Sequence, residues 1–297
     1  MYDLIILGAG PAGMTAAIYA GRAALKFAII EANPFCGGQV TNSGTIDNYP
    51  GMPFIDGFEL SQAFYEHSKK FTDNYIFKTI KNIDLKNKTI TFSDDSTITS
   101  KTILIALGQE TRKLGINGEN KKGVSYCATC DGNFFKDKTV CVVGGGDTAF
   151  DDVLYLSKIA KKVYLIHRRE EFRGSTLYLN KIKELPNTEI ITNTVIDEIC
   201  GENFVEYIKI KNVLTNDIST LNIDGVFVAI GSIPRTKELN ELNLDENGYI
   251  IANEDCKTNL DGIFVAGDIR TKQLRQIVTA VSDGATSIDS IGKYLNE

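Results

Sequence analysis

Short apolar runs that end in or near glycine recur along the chain and predict buried parallel strands. Two of these runs, residues 4–7 and 140–143, each lead through a glycine-rich turn into a helical pattern, at 14–22 and 150–159. Unbroken apolar runs suit strands that are covered on both faces, and a strand, a tight turn and a helix in this order form a dinucleotide-binding unit. The pattern therefore predicts an α/β fold with two such units.

The first glycine turn has the spacing G-x-G-x-x-G that a bound pyrophosphate requires. The first glycine permits the tight bend, the second lets backbone approach the phosphates, and the third lets the helix pack on the strand. The next apolar run ends in Glu31, whose carboxylate can accept hydrogen bonds from ribose hydroxyls. The predicted ligands of this nucleotide include Gly8, Gly10, Pro11, Ala12, Gly13 and Glu31.

The second glycine turn is followed by basic residues where the first has an acid. Arg168 and Arg169 come directly after the strand at 163–166, and Arg173 follows. Guanidinium groups at this position match a 2′-phosphate, so the second nucleotide is predicted to be NADPH rather than NADH. A solvated basic run is the alternative, and it is weakened because two glutamates interrupt the charge. The predicted ligands are Gly144, Gly146, Asp147, Thr148, Ala149, His167, Arg168, Arg169 and Arg173.

Strand-like runs of similar shape end near Gly108, Gly231 and Gly267, and the last is followed by a helical pattern at 277–295. The first two close the two units, and the third returns to the first unit. The predicted fold class is therefore α/β, with two Rossmann-like three-layer nucleotide-binding domains, the second inserted into the first. Residues 1–112 and 242–297 are predicted to form one domain and 113–241 the other.

Cys127 and Cys130 lie between the two glycine turns, two residues apart, and form a candidate redox couple. Such a pair is also half of a zinc site. The other four cysteines form no second pair of this spacing and the chain has only two histidines, so the redox interpretation is favoured and no metal is predicted.

Composition is that of a soluble globular protein, with 43% hydrophobic and 24% charged residues. A net charge of −6 argues against a nucleic-acid surface, and no apolar run is long enough to span a bilayer. The N-terminus shows no signal-peptide pattern, so a cytoplasmic location is expected. Thiols are kept reduced there, which favours a catalytic role for the cysteine pair.

Two loops after the second strand leave their role open. Residues 36–39 contain a glycine pair, and residues 48–51 contain a Pro-Gly turn. They could let a large ligand lie against the backbone, with Gln39 and Asn48 bonded to a polar ring, or they could be plain connections.

Taken together, these motifs resemble those of the low-molecular-weight bacterial thioredoxin reductases. The resemblance covers nearly the whole chain, and its most specific part is Cys127-Ala128-Thr129-Cys130-Asp131. It implies FAD in the first domain, NADPH in the second, thioredoxin or a similar small dithiol protein as substrate, and a homodimer. Further matching positions are Gly38, Gln39, Asn48, Gly108, Gly267, Asp268, Arg275 and Gln276; Leu107 departs from the threonine usual in the family.

The resemblance also implies roles for the redox residues. Cys130 is expected to face the flavin, Cys127 to attack the substrate, and Asp131 to shuttle protons. Domain rotation about hinges near residues 112 and 242 would let the disulfide and the nicotinamide alternate at the flavin. The alternatives are a ferredoxin-dependent flavin thioredoxin reductase, a related FAD dithiol oxidase and a zinc-binding regulatory module. The intact arginine cluster favours NADPH.

Overall fold

The structure, a computed structural model, describes residues 1–43, 45–46 and 48–296, apart from the side chains of Asn42, Thr45 and Cys130. The chain forms two compact units. The first comprises Met1–Glu110 and Ile233–Glu297, and the second comprises Thr111–Ser232. The second unit is therefore an insertion into the first, as predicted.

The elements follow one another in three stretches of the chain. The first stretch contains β1 (Tyr2–Leu7), α1 (Pro11–Arg22), β2 (Phe27–Glu31), β3 (Thr45–Ile46), β4 (Ile55–Asp56), α2 (Gly57–Lys69), β5 (Tyr75–Phe77), β6 (Ile80–Asp84), β7 (Thr89–Phe92), β8 (Thr97–Ile105) and β9 (Gln109–Thr111). The second contains β10 (Val124–Ser125), α3 (Ala128–Asp131), β11 (Thr139–Gly144), α4 (Asp147–Leu156), β12 (Lys162–Ile166), α5 (Thr176–Glu184), β13 (Thr188–Ile191), β14 (Thr194–Cys200), β15 (Tyr207–Asn212), β16 (Ile218–Asn222) and β17 (Gly225–Ala229). The third contains β18 (Ser232–Pro234), β19 (Ile263–Val265) and α6 (Ile277–Leu295), and short 3-10 helices cover Gly38–Asn42, Gly132–Phe135 and Gly267–Ile269.

The first unit is built around β1, which lies parallel to β2 on one side and to β8 on the other. The sheet order is β5-β2-β1-β8-β7-β6, with β19 also paired to β8. Leu4 and Ile6 point into one core with α1 and α6, whereas Ile5 and Leu7 point into a second core on the opposite face. A strand buried on both faces needs apolar residues at every position, which explains the unbroken run at residues 4–7.

The second unit repeats this arrangement around β11. Its parallel sheet has the order β10-β17-β11-β12-β13. Val140 and Val142 pack with Phe150 of α4, while Cys141 packs on the other face with Ile208 of the antiparallel sheet β14-β15-β16. The predicted fold class, two three-layer nucleotide-binding domains, is confirmed. Within the described residues, no helix is both long and apolar enough to cross a membrane.

The structure differs from the sequence-based expectations in two places. The chain leaves the second unit at Ser232/Ile233, before the predicted boundary at 241/242. Leu239 and Leu242 explain the difference, because both are buried in the core that contains Ile5 and Leu7. In addition, the alternating pattern of residues 75–103 is typical of short antiparallel strands, but β5 within this range pairs with β2 in parallel. Within the same range, β6, β7 and β8 pair antiparallel as the pattern predicts.

Close packing of α6 against α1 generates a stability prediction. A Cβ added at Gly284 would lie 2.3 Å from the Ala12 carbonyl oxygen, whereas one added at Gly292 on the same helix meets nothing within 4 Å. We expect Gly284→Ala to lower the free energy of unfolding by about 1–3 kcal/mol, because overpacking against backbone outweighs the gain in helix propensity. Gly292→Ala should leave it unchanged or raise it by up to about 1 kcal/mol. Urea titrations followed by circular dichroism test this, and equal effects at the two sites would contradict it.

Candidate active site

The glycine turn of the first unit brings helix and strand into direct backbone contact. A Cβ at Gly13 would lie 1.9 Å from the Gly8 carbonyl oxygen, and one at Gly8 would lie 2.5 Å from that of Ala106. Gly10, at the N-cap of α1, faces open space instead. No acid occupies the first helical turn, so its N–H groups and the positive end of the helix dipole are available to an anion.

Glu31 ties this turn to the end of β2. One carboxylate oxygen accepts a hydrogen bond from the Ala9 N–H at 3.0 Å, and the other accepts from the backbone and side chain of Asn33 at 2.9 and 3.0 Å. A carboxylate has about four acceptor positions. The oxygen bonded to Ala9 can therefore still accept a ribose hydroxyl.

A cavity of about 790 Å³ lies in this unit, next to the glycine turn. The structure brings nearly all the predicted first-domain ligands to its wall, and only Gly13 lies behind them in the contact between helix and turn. The predicted residues that line it are Gly8, Gly10, Pro11, Ala12, Glu31, Gly38, Gln39, Asn48, Gly108, Gly267, Asp268, Arg275 and Gln276. Their assignment as ligands stays a prediction, now supported by their shared position.

The cavity wall fits a large ligand that carries hydroxyl groups. Asp268 has a buried Oδ1 atom with no hydrogen-bond partner among the described residues, and burial raises the pKa of this carboxyl. A buried carboxylate oxygen without a donor is costly, and a ligand hydroxyl would satisfy it. FAD, which has a sugar-like ribityl chain and a pyrophosphate, would be held by Asp268 and by the turn at Gly8 and Gly10.

The two loops whose role was open from sequence both reach this cavity. Gln39 donates a hydrogen bond from Nε2 to the Gln109 carbonyl oxygen, and Asn48 donates from Nδ2 to Gln276 Oε1 at 2.9 Å. Sequence reasoning missed Tyr249, whose hydroxyl donates to Gln109 Oε1 at 3.0 Å and whose ring lies 3.7 Å from the Arg275 guanidinium. Its partners are distant in sequence, so no local motif marks it.

The second glycine turn is held mainly by backbone and ring contacts. A Cβ at Gly144 would lie 2.3 Å from the Ala229 carbonyl oxygen, and one at Gly145 would lie 2.2 Å from the His167 ring. The Arg173 N–H donates to the Gly145 carbonyl at 2.9 Å, and the Ser175 N–H donates to Asp147 Oδ1 at 2.6 Å. The segment after β12 is thereby fixed directly against the start of α4.

Three guanidinium groups are presented beside this turn. Arg168, Arg169 and Arg173 are exposed, and none forms an ion pair or side-chain hydrogen bond with another described residue. His167 differs, because it is 9% exposed, stacks on Phe172 at 4.6 Å and has its Nε2 atom 3.1 Å from the Glu171 carbonyl oxygen. Burial and the neighbouring arginines lower the pKa of His167. The arginines are thus free to meet a phosphate, while His167 supports the turn beneath them.

The redox segment lies in the same unit as the arginines. Cys127 is half-buried and disulfide-bonded, whereas the side chain of Cys130 lies outside the described part of the structure. Asp131, at the end of α3, accepts a hydrogen bond from the hydroxyl of Ser125 at 2.7 Å. The same hydroxyl accepts from the Cys127 N–H at 3.1 Å. Sequence reasoning missed Ser125, which is buried and joins the cysteine backbone to the acid.

A second anchor holds Tyr126, the residue before Cys127. The hydroxyl of Tyr126 donates to Glu119 Oε1, and the carboxylate of Glu119 also accepts from the N–H groups of Leu114 and Gly115. These donors keep the pKa of Glu119 below its usual value despite the opposing effect of burial. Cys127 therefore follows an anchored residue, and its own N–H is held by Ser125.

The four remaining cysteines lie outside the redox segment. Cys36, Cys141, Cys200 and Cys256 are buried and free. Burial raises the pKa of Cys36 and of Cys256 to about 12, and it raises that of Cys141 as well. Since the thiolate is the nucleophile, these three thiols are unreactive near neutral pH. Among the described side chains, no three His, Cys, Asp or Glu groups are placed to hold a metal ion.

Comparison with known proteins places the chain in a family. The model of the pyridine nucleotide-disulphide oxidoreductase family matches residues 2–284, and the chain therefore belongs to that family. A thioredoxin reductase of Mycoplasma genitalium is 43% identical over 97% of this chain and 93% of its own length. The crystal structure of thioredoxin reductase from Streptococcus pyogenes has a TM-score of 0.80, 40% identity and coverage of 100% and 98% of the two chains.

A more distant solved structure is a ferredoxin-flavin thioredoxin reductase from Clostridium acetobutylicum. It is 30% identical, with a TM-score of 0.54 and coverage of 100% of this chain and 99% of its own. The resemblance to bacterial thioredoxin reductases is confirmed by these relatives.

The state of Cys127 generates a chemical prediction. Denatured without reductant, the protein should expose the four free thiols, and after reduction it should expose all six. In Cys130→Ser the two counts should become equal, because Cys127 loses its expected partner. Thiol labelling followed by mass spectrometry gives both counts. Six labelled thiols before reduction would show that the pair is not a disulfide.

Proposed function

We propose that this protein is an NADPH-dependent flavoprotein disulfide reductase that reduces thioredoxin or a thioredoxin-like small dithiol protein. One observation carries the proposal. The unit that holds the disulfide-bonded Cys127 also holds a nucleotide turn with three exposed, unpaired arginines. A hydride donor site and a redox disulfide are therefore built into one body. The overall reaction consumes NADPH, a proton and a disulfide, and it yields NADP⁺ and a dithiol.

The first unit supplies the second cofactor site. Bound in its cavity, FAD would supply the two-electron exchange between a nicotinamide hydride and a disulfide, which react poorly with each other directly. Gly8 and Gly10 would hold the pyrophosphate at the start of α1, Glu31 would accept a ribose hydroxyl, and Asp268 would accept a hydroxyl through its unpartnered oxygen. The other predicted ligands of the first unit are proposed to contact FAD because they line the same cavity.

Proton transfer at the disulfide falls to the group formed by Ser125 and Asp131. Opening the Cys127–Cys130 bond yields two sulfurs, each of which must be protonated or held as a thiolate. Asp131 is oriented by Ser125, whose hydroxyl also holds the backbone of Cys127. The acid therefore keeps its position relative to the redox segment when the disulfide opens. Cys130 faces the flavin and Cys127 attacks the substrate disulfide in this proposal.

The same proposal includes a homodimer in the cytoplasm, on the strength of the family resemblance.

The choice of electron donor separates the proposed function from the ferredoxin-dependent alternative. The arginine cluster has no role in a protein that takes electrons from ferredoxin, whereas it has an evident one for NADPH. The decisive experiment is turnover with NADPH, NADH and reduced ferredoxin supplied in turn, with reduction of a thioredoxin disulfide as readout.

Replacing Arg168 and Arg169 with Ala should weaken NADPH and spare NADH. Each charge-assisted contact contributes roughly 1.5–3 kcal/mol, and solvent exposure favours the lower end, so we expect KM for NADPH to rise about a hundredfold. The kcat at saturating NADPH should stay near normal, because the phosphate contacts are the same in ground and transition states. Steady-state kinetics with both coenzymes measures the difference.

The matched control for this experiment removes two other positive charges from the same unit. Lys158 and Lys161 are exposed, and their replacement with Ala should leave KM for both coenzymes unchanged. An equal loss for NADPH and NADH in the arginine variant would mean that the arginines support the fold of the unit. If KM changed for neither coenzyme, the arginines would be solvent-exposed residues without a role in coenzyme binding. That result would favour the ferredoxin alternative.

Cys130→Ser should separate the two halves of the reaction. We expect a folded, FAD-bound enzyme whose flavin is still bleached by NADPH but which no longer reduces protein disulfides. The reason is that Cys130 lies outside both glycine turns in the sequence, so cofactor binding should not depend on it. Stopped-flow absorbance follows flavin reduction, and insulin precipitation with thioredoxin follows turnover. Cys200→Ser in the same unit serves as the control and should retain both, whereas disulfide reduction by Cys130→Ser at the wild-type rate would refute the assignment.

A further inference from the structure

A buried cluster of three charged side chains lies in the first unit, and the mechanism above does not use it. Asp283 of α6 accepts hydrogen bonds from Arg270 Nε at 2.8 Å and Nη2 at 2.7 Å, and from Lys272 Nζ at 2.7 Å. The side chains of Arg270, Lys272 and Asp283 are only 6%, 7% and 7% exposed. Charges are rarely buried to this degree unless they are paired and fully hydrogen-bonded.

The cluster is bonded directly to the backbone of the Gly267–Asp268 turn. The Gly267 N–H donates to Asp283 Oδ2 at 2.8 Å. Gly267 has φ +79, and a Cβ there would lie 3.0 Å from the Ala12 Cβ of α1. The turn therefore packs closely against α1 on one side and is hydrogen-bonded to the Asp283 carboxylate on the other. Its conformation, which L side chains rarely adopt, depends on both contacts.

The remaining donors of the cluster connect it to two other segments. Arg270 Nη1 donates to the carbonyl oxygens of Thr271 at 3.0 Å and Ala252 at 3.4 Å, and Lys272 Nζ donates to that of Thr279 at 3.2 Å. Arg270, Lys272 and Asp283 are absent from the described lining of the cavity, whereas Gly267 and Asp268 belong to it. The cluster therefore supports the cavity wall without reaching a ligand.

The charges of the cluster do not balance. Arg270 and Lys272 share a single carboxylate, which leaves an excess of one positive charge beside the Asp268 carboxylate and its unpartnered oxygen. A nearby cation favours the ionised form of a carboxyl group, and an ionised carboxylate is the stronger acceptor for a hydroxyl donor. Lys272 and Arg275 both act on Asp268 in this sense, whereas burial and the charge of Asp283 act against it.

We propose that Arg270, Lys272 and Asp283 are positioning residues for the flavin, which fix the Gly267–Asp268 turn from behind and supply the positive charge that keeps Asp268 an acceptor. This inference rests on the proposed function, because it takes FAD as the ligand of the cavity. It assigns the strength of flavin binding in part to residues that do not touch the flavin.

The test removes the excess charge with the least change in shape. Lys272→Gln keeps a hydrogen-bond donor for Asp283 but has no charge, whereas Lys272→Arg keeps the charge. Holoenzymes are diluted, and FAD release is followed by the recovery of free-flavin fluorescence. We expect release from Lys272→Gln to be about tenfold faster than from wild type or more, with rescue by Lys272→Arg. The KM for NADPH should not change, because its site lies in the other unit.

Two controls keep the test independent of folding and of the proposed function. Lys293→Gln removes a charge from an exposed pair with Asp289 on the same helix and should release FAD at the wild-type rate. Circular dichroism melting reports folding, and if Lys272→Gln does not fold, Lys272→Met takes its place in the same assay. Wild-type release rates in the charge-free variant, or equal acceleration in the Gln and Arg variants, would overturn the inference. A wild-type protein that binds no FAD would instead overturn the proposed function.

Discussion

Both units depend on the contact between the first strand, the glycine turn and the following helix. In the first unit, Gly13 approaches the Gly8 carbonyl so closely that no side chain fits, and Gly284 brings α6 onto the backbone of α1 in the same way. The first glycine of the turn also meets backbone in both units, Gly8 at the Ala106 carbonyl and Gly144 at the Ala229 carbonyl. This close packing places the start of a helix next to open space, and the free N–H groups there create an anion site. The cavity and the coenzyme turn both follow from this single constraint.

The two turns are alike in backbone and opposite in charge. Glu31 ends the second strand of the first unit and bonds back to the turn, whereas Arg168 and Arg169 follow the corresponding strand of the second and stay unpaired. Glu31 therefore also stabilises the turn, whereas the side chains of Arg168 and Arg169 make no such contact. His167 has the supporting role in the second unit, because its ring lies under Gly145. One architecture is thus adapted to two nucleotides by the few residues at its strand ends.

The redox segment shows how a reactive group is held without rigid secondary structure. Helix α3 has only four residues, so the segment cannot rely on helical packing alone. Ser125 and Glu119 supply the missing contacts through side chains, because Ser125 bonds to the Cys127 N–H and Glu119 bonds to the Tyr126 hydroxyl. This arrangement fixes the backbone at Cys127, which is half-buried. In the first unit, Asp283 serves the Gly267–Asp268 turn in a comparable way.

The sequence alone determined the features that arise from local patterns. Residues 4–7 and 140–143 had to be buried strands because every position is apolar, and α6 was predicted at 277–295, as observed. The glycine spacings, the cysteine pair and the charge at each strand end are equally local, so the nucleotide and redox chemistry could be predicted from them. Only the tertiary structure decided which distant residues meet. The bonds of Asn48 to Gln276 and of Tyr249 to Gln109 join residues 228 and 140 positions apart, and that of Asp283 to Gly267 likewise leaves no periodic or spaced pattern. The second boundary was misplaced for the same reason, because the burial of Leu239 and Leu242 in the core of the first unit depends on long-range packing.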